Sequence, residues 1–408
     1  MKVVRIIARL NVGGPTRHVV WLTKELQDQG FQSILVTGTV PEGEEDMSYF
    51  AFENGVKPIF IPEMSREISL KDFISFVKIC RILFREKPDL IHTHTAKAGT
   101  LGRLAGLFYR WFTFKALICK PRSVKIVHTY HGHIFHSYYG SLKTKVFLFI
   151  ERLLAVVATD KIVVISRKQF EEIHEKFRVG RASQFAIIPL GINLEVFQTL
   201  SSKRQSVREE FGASDNEVLV GIVGRLTEIK NHELFLKVAK ICKQKSERLR
   251  FLIVGDGHLR RRLESLVSDF GLERTVTFVG NRNDLDFYAG LDVVALTSLN
   301  EGTPLSLIEA MACGIPVIST MVGGVFDLLG QVVEEKDGFY VCERGIGVGL
   351  DKENLEKAFS SGLIYLIEDE HLRKKFAKVG KSYVFSCYSK ERLVKDIVNL
   401  YENLTFQK

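Results

Sequence analysis

The amino-acid sequence predicts an α/β protein built from two Rossmann-like, doubly wound domains. Three observations carry this. Short apolar runs alternate with amphipathic stretches of helical period, the pattern of βαβ units feeding a mainly parallel sheet. The alternation starts afresh after a polar stretch at residues 199–216. The chain's 408 residues exceed one ordinary core and suit two. A hydrophobic fraction of 46% with 26% charged residues is that of a globular protein and excludes a disordered or low-complexity chain.

Taken in order, residues 2–8 form a continuous apolar run suited to a first buried strand. Asn11-Val12-Gly13-Gly14-Pro15 follows, then an amphipathic helix over about 16–29 that ends at Gly30. Glycines between a strand and a helix let the backbone approach an anion at the helix N-terminus. The spacing is not G-x-G-x-x-G, which disfavours a dinucleotide site. Strands are expected again at 32–37, 57–61, 89–93, 124–130, 161–165 and 185–188, with a helix over 71–86. Two strand ends are rich in histidine. His92 and His94 alternate and so share a face. A metal site is disfavoured because no carboxylate or cysteine accompanies these imidazoles. His128, His133 and His136 read as structural.

The second half opens with a strand at 218–223, followed by Gly224-Arg225 and, five residues on, Lys230. Two cations at the carboxyl end of a strand suit a diphosphate. A helix follows over about 232–243, then strands at 250–254, 276–279 and 292–297. The first two lead into Gly255-Asp256-Gly257 and Gly280-Asn281-Arg282. Residues 300–324 hold two carboxylates eight positions apart, Glu301 and Glu309, around Gly302-Thr303-Pro304-Leu305. Thr303 reads as an N-cap and Pro304 as the first helical residue, with Gly314 ending the helix. Glu301 then lies in the loop at a strand's carboxyl end, and Glu309 two turns into the next helix. Ligands of open α/β sheets bind at that edge, and the N–H groups near Thr303 to Leu305 favour an anion.

The string E-G-T-P-L-S-L-I-E-A-M-A-C-G-I-P-V-I resembles the E-x7-E signature of retaining GT-B glycosyltransferases, most closely family 4. The resemblance extends to Gly13-Gly14-Pro15-Thr16-Arg17-His18-Val19, to T-Y-H-G-H around His131, to G-R-L-x-x-x-K-N at Arg225 and Lys230, and to the glycines at 255 and 257. At 188–193 the family's I-P-N-G-V-D stands as I-P-L-G-I-N, so Asn193 is the only amide nearby. The resemblance implies two domains facing across a cleft, at 1–187 with a returning helix at 388–408, and at 188–387. It implies a nucleotide-diphospho-sugar donor and a glycan or lipid-linked acceptor, with no cofactor and no metal. Gly13 and Gly14 would approach the donor, and His131 its sugar. Arg225 and Lys230 would hold the diphosphate, Glu301 the sugar hydroxyls and Glu309 the ribose. Asn193, Gly255, Asn281, Arg282 and residues 302–305 would complete the donor site.

Net charge is +9 and uneven. Between Lys97 and Lys168 there are 13 basic residues, and Glu151 and Asp160 are the only acids. Within this stretch, residues 107–124 interleave Phe108, Tyr109, Trp111, Phe112 and Phe114 with Arg110, Lys115, Lys120 and Arg122. Such a segment either meets an anionic membrane surface with its rings at headgroup depth, or packs its rings inside and solvates its cations. Six scattered cysteines, no leader pattern and no transmembrane stretch suggest a cytoplasmic protein, peripheral on the inner face of the plasma membrane. Nucleic acid is not expected as a partner, since no such motif accompanies the charge. The alternatives are a nucleotide-sugar epimerase or hydrolase of the same fold, or a non-catalytic basic scaffold.

Overall fold

The computed structural model describes residues 1–41, 45–64, 70–118, 120–132, 141–282 and 284–406. His133 and His136 lie outside these. The chain divides into two compact units, Met1–Gly191 with Lys390–Lys408, and Ile192–Ser389.

The first unit holds a seven-stranded, wholly parallel sheet: β1 (Lys2–Arg9), β2 (Gln32–Gly38), β3 (Ile59–Phe60), β4 (Leu90–His94), β5 (Lys125–Thr129), β6 (Lys161–Val164) and β7 (Phe185–Ile187). Their order is β3-β2-β1-β4-β5-β6-β7. Its helices are α1 (Gly14–Asp28), α2 (Ser48–Glu53), α3 (Lys71–Glu86), α4 (Ala96–Trp111), α5 (Ser141–Val157) and α6 (Arg167–Phe170). Strand β1 is buried on both faces, and alternation divides its residues. Val4 and Ile6 pack against α3 and α4 through Ile79, Leu83 and Ala105. Val3 packs with Leu22 and Leu26 of α1 and with Leu393, Ile397 and Tyr401 near the C-terminus. Each such fully buried aliphatic side chain contributes about 1.5–3 kcal/mol.

The second unit repeats the theme in eight strands: β8 (Val218–Val223), β9 (Leu249–Val254), β10 (Val276–Gly280), β11 (Val293–Leu296), β12 (Val317–Thr320), β13 (Val332–Lys336), β14 (Phe339–Cys342) and β15 (Ile346–Val348). The order is β10-β9-β8-β11-β12-β15-β14-β13. The edge from β15 outward is antiparallel. Its helices are α7 (Arg204–Glu210), α8 (His232–Lys245), α9 (Arg260–Asp269), α10 (Leu305–Ala312), α11 (Val325–Leu329), α12 (Leu355–Glu368) and α13 (Glu370–Cys387). The final helix, α14 (Lys390–Phe406), belongs to the first unit.

Among the parallel strands the order reverses between β1 and β4 in the first sheet and between β8 and β11 in the second. The crevice outside the carboxyl ends at such a reversal is where open α/β sheets take ligands.

Two local expectations need correction. Helix α10 starts one residue later than its spacing implied. Pro304 is its extended N-cap, not its first helical residue. Thr303 caps nothing, and its Oγ1 is buried without a partner among the described residues. The ψ of 114° at Pro304 is extended, which places the cap at the proline. The aromatic–basic stretch divides between both readings. Tyr109 is buried at 5% exposure, whereas Phe114 is 92% exposed. Arg110 donates to the Val124 carbonyl and pairs with Asp160. Arg122 lies 4.7 Å over the Tyr109 ring and donates to the Phe112 carbonyl. These two arginines are structural, leaving Lys115 and Lys120 as the exposed cations of the stretch.

Candidate functional site

The second unit builds its site at the β8/β11 reversal. The loop after β8 is tied to the loop after β9: Gly224 N–H donates to Val254 O, and Leu226 N–H to Asp256 O. Gly255 has φ +132°, and a Cβ there would lie 2.1 Å from the Gly224 carbonyl oxygen. Only glycine lets these two loops touch. Arg225 stands exposed with no side-chain partner among the described residues. Lys230 ends a short turn, Glu228–Lys230. Its Nζ lies 2.6 Å from Glu301 Oε1, an oxygen that also accepts from Ser298 Oγ at 2.6 Å. Thr297 Oγ1 donates to the carbonyls of Lys230 and Asn231, and Leu299 N–H to that of Ile229. Gly324 N–H donates to Gly302 O at 2.6 Å. The Glu301 loop is therefore fixed on both sides by backbone bonds.

The first intrahelical bond of α10 runs from Ile308 N–H to Pro304 O. The N–H groups of Leu305, Ser306 and Leu307 thus lie ahead of the helical ladder, at the positive end of the dipole. Glu309 is buried at 8% exposure, and the Tyr288 hydroxyl donates to its Oε2 at 2.8 Å. Gly314, at φ +75°, closes the helix. The structure thus brings together Arg225, Lys230, Glu301 and the α10 start around neighbouring strand ends. It leaves two other candidates engaged elsewhere. Arg282 pairs with Glu210 and Asp284 on the surface. The Asn193 side chain accepts from Glu195 N–H in a local turn. Asn281 is exposed beside Arg282.

The first unit gathers imidazoles at the β1/β4 reversal. Gly13 is the N-cap and Gly14 the first residue of α1. Helix α1 carries His18, β4 ends at His94, and His131 follows β5. His94 Nδ1 lies 2.9 Å from His131 Nε2, and the His18 ring sits 4.9 Å from that of His131. The remaining nitrogens of all three are buried without partners among the described residues. Burial pushes the His131 imidazole down to about 4 and holds His18 and His94 well below the usual range. His92 and His128 are structural: His92 bonds Tyr401 and Thr129 at 2.6 Å each, and His128 bonds Thr93 at 2.8 Å.

Among the described residues, His18, His94 and His131 could hold a metal ion by geometry. Arg5 and Arg392 add positive potential at His18, which opposes a dication there. Neutral imidazoles can each donate one hydrogen bond and accept another, which suits hydroxyl groups. Sequence reading flagged His131 but not His18 or His94 as site residues. His18 stood in the quoted glycine motif, and the alternation of His92 and His94 marked that strand end. Nothing in the sequence signalled Ser298 or Tyr288 as partners of the two glutamates.

The buried imidazoles predict a pH effect on stability. The folded pKa values lie below 6.5, at about 4 for His131, so the unfolded chain binds more protons as pH falls below about 6.5. Stability is then full above about pH 6.5 and falls on acidification, by up to about 1.4 kcal/mol per pH unit for each such histidine. Urea unfolding at pH 7 and at pH 5.5, above most carboxylate titration, measures it. Equal stability at both values would contradict neutral, buried imidazoles.

Residues 203–383 match the family of glycosyl transferases group 1, and residues 12–196 match glycosyltransferase family 4. The UDP-Gal:alpha-D-GlcNAc-diphosphoundecaprenol alpha-1,3-galactosyltransferase of Escherichia coli is 28% identical over 361 residues, covering 87% of this chain and 86% of that protein. The capsular polysaccharide biosynthesis glycosyltransferase CapM of Staphylococcus aureus is 26% identical, covering 85% and 84%. In structure the chain is similar to Anabaena HepE, solved with UDP, at a TM-score of 0.78 and 19% identity over 99% of this chain and 100% of that one.

Proposed function

From a chain that belongs to the group 1, family 4 glycosyltransferases of GT-B fold, we propose a retaining transfer from a nucleotide-diphospho-sugar to a lipid-linked acceptor at an anionic membrane surface. The observation that supports it most is the Lys230–Glu301–Ser298 contact beside Arg225 and the α10 N-terminus. Two cations and a helix start at one sheet edge match the charge that grows on a departing diphosphate, where preorganised groups act most strongly. Glu301 serves both Lys230 and the sugar hydroxyls. Glu309, fixed by Tyr288, takes the ribose. The three imidazoles of the first unit serve the transferred sugar and its acceptor. The E. coli relative acts on a diphosphoundecaprenol-linked sugar and HepE binds UDP, so uridine donors and polyprenyl-linked acceptors are the first to assay.

Incubation with labelled nucleotide sugars and such acceptors tests the reaction, and NMR of the product's anomeric centre tests retention. An inverted anomer would reject the retaining assignment. Sugar release without acceptor dependence would favour a hydrolase. The glutamates separate in binding: Glu309→Gln should weaken nucleoside diphosphate binding about tenfold by calorimetry, roughly 1.4 kcal/mol. Glu301→Gln should leave it within about twofold and impair transfer. The opposite pattern would exchange their roles.

No helix among the described residues is long and apolar enough to cross a membrane. Attachment is read from Lys115, Lys120 and the exposed Phe112 and Phe114. Each cation near an anionic leaflet contributes about 1 kcal/mol. Lys115→Ser with Lys120→Ser should reduce co-sedimentation with anionic vesicles. Wild-type protein that stays in the supernatant at low salt would remove the membrane from the proposal.

A further inference from the structure

Helices α3 and α4 lie side by side on one face of the first unit's sheet, and between them runs an open groove of about 860 Å³. Phe73 and Phe76 of α3 form one wall, and Leu104, Leu107, Phe108 and Trp111 of α4 the other. A second depression of about 440 Å³ continues it past Phe76 and Phe108 toward Cys80, Arg81 and Phe84. Its walls leave large apolar side chains facing water. Here Phe73 is 72% exposed, Trp111 49% and Phe112 61%.

The rings are held in place for this. Phe108 stacks on Phe112 at 4.6 Å and meets Phe76 and Phe84 edge-on at 6.2 and 6.3 Å. The trough is thus lined by rings that pack on one another. Its volume falls within the range of small-molecule sites.

The charges around the groove select its occupant. Among the described residues, Asp72 is the only acid lining it, and Lys97 Nζ neutralises Asp72 at 2.6 Å. Arg81 stands exposed at the far end, and Lys115 follows Phe112 by three residues. Among the described residues the walls are apolar apart from Asp72 and the terminal Arg81, so an extended peptide backbone would leave most of its donors and acceptors unpaired there, which is costly in an apolar site. A hydrocarbon chain has no such need, and an anionic group at its end meets cations.

We infer that the α3–α4 groove binds the hydrocarbon chain of the lipid acceptor, an isoprenoid or alkyl chain ending in phosphate. This rests on the lipid-linked acceptor read above and adds where the lipid, as distinct from the sugar, is recognised. The acceptor is then selected by chain length as well as by its glycan.

Trp111 reports directly on the groove. The chain has only two tryptophans, Trp21 and Trp111, so Trp21→Phe leaves a single probe. Titration with farnesyl phosphate should blue-shift Trp111 emission with saturation, and a brominated dodecyl phosphate should quench it. Inorganic phosphate should do neither. Leu104→Glu and, on the opposite wall, Phe73→Ser change exposed positions and should each raise the apparent Kd at least tenfold, since each buried methylene adds to affinity. Circular dichroism confirms their folding. In the transfer assay, the wild-type KM should fall at least tenfold between a methyl and a farnesyl acceptor, and Leu104→Glu should bring that ratio toward one.

No change in Trp111 emission up to the probe's solubility limit overturns the inference, as does a response to vesicles but not to single-chain phosphates. If no donor supports transfer, the fluorescence titration still reads the groove, so failure of the enzymatic reading and of this inference are distinguishable.

Discussion

Replacing Lys230 by alanine should lower kcat/KM about 100-fold, roughly 2.7 kcal/mol of transition-state stabilisation. Lys230 carries one of the two cations beside the α10 start, and its Nζ also orders Glu301 at 2.6 Å. Alanine removes the charge that meets the diphosphate and leaves Glu301, only 11% exposed, with Ser298 as its remaining partner among the described residues. Arg225→Ala removes an exposed cation that orders nothing else, so a loss of about tenfold is expected there. The double variant Lys230→Ala, Glu301→Gln separates the two contributions. If Lys230 acts mainly by placing Glu301, the second substitution should cost little more. Steady-state kinetics with saturating acceptor decide, and a Lys230→Ala enzyme within threefold of wild type would remove the diphosphate role.

Replacing Glu151 by alanine should destabilise the first unit by about 3–5 kcal/mol. Arg103 is fully buried, and its guanidinium lies 2.6 Å from Glu151 Oε1. The Tyr130 hydroxyl donates to the other carboxylate oxygen, and Arg103 Nε donates to the Gly99 carbonyl at 2.9 Å. Alanine leaves a guanidinium without its counter-charge at 0% exposure, and the low dielectric makes that costly. Arg103→Met combined with Glu151→Leu should recover most of the loss, since no charge is then stranded. Both tryptophans lie in the first unit, so their fluorescence follows its unfolding in urea. A change below about 1 kcal/mol for Glu151→Ala would mean that water reaches the arginine.

These two cases also show where sequence reading carries and where it stops. The strands at β1, β2, β8 and β9 and helix α3 were legible because apolar periodicity is a local signal set by burial on one or both faces. The first-half strands are found within two residues of their expected bounds. The antiparallel β13–β15 edge escaped notice, because Val332–Lys336 is exposed and carries the charges of a loop. Glu151 counted as one of two acids in a basic stretch and proved to be the buried anion for Arg103. Asp160 looked incidental and binds Arg110. An ion pair 48 or 50 residues apart leaves no periodic trace.

By itself the sequence determined the α/β class, the glycine-bearing strand ends and the family motif around Glu301 and Glu309. Each depends on residues close together in the chain, where spacing reports geometry directly. Only the tertiary structure decided that Lys230 reaches Glu301, that Tyr288 holds Glu309, and that His18 and His94 join His131. It also decided which rings of the aromatic–basic stretch are buried and which line a groove with α3. Those outcomes depend on strand order and helix packing, which bring residues tens of positions apart within hydrogen-bond or packing distance, and no local pattern encodes which ones will meet.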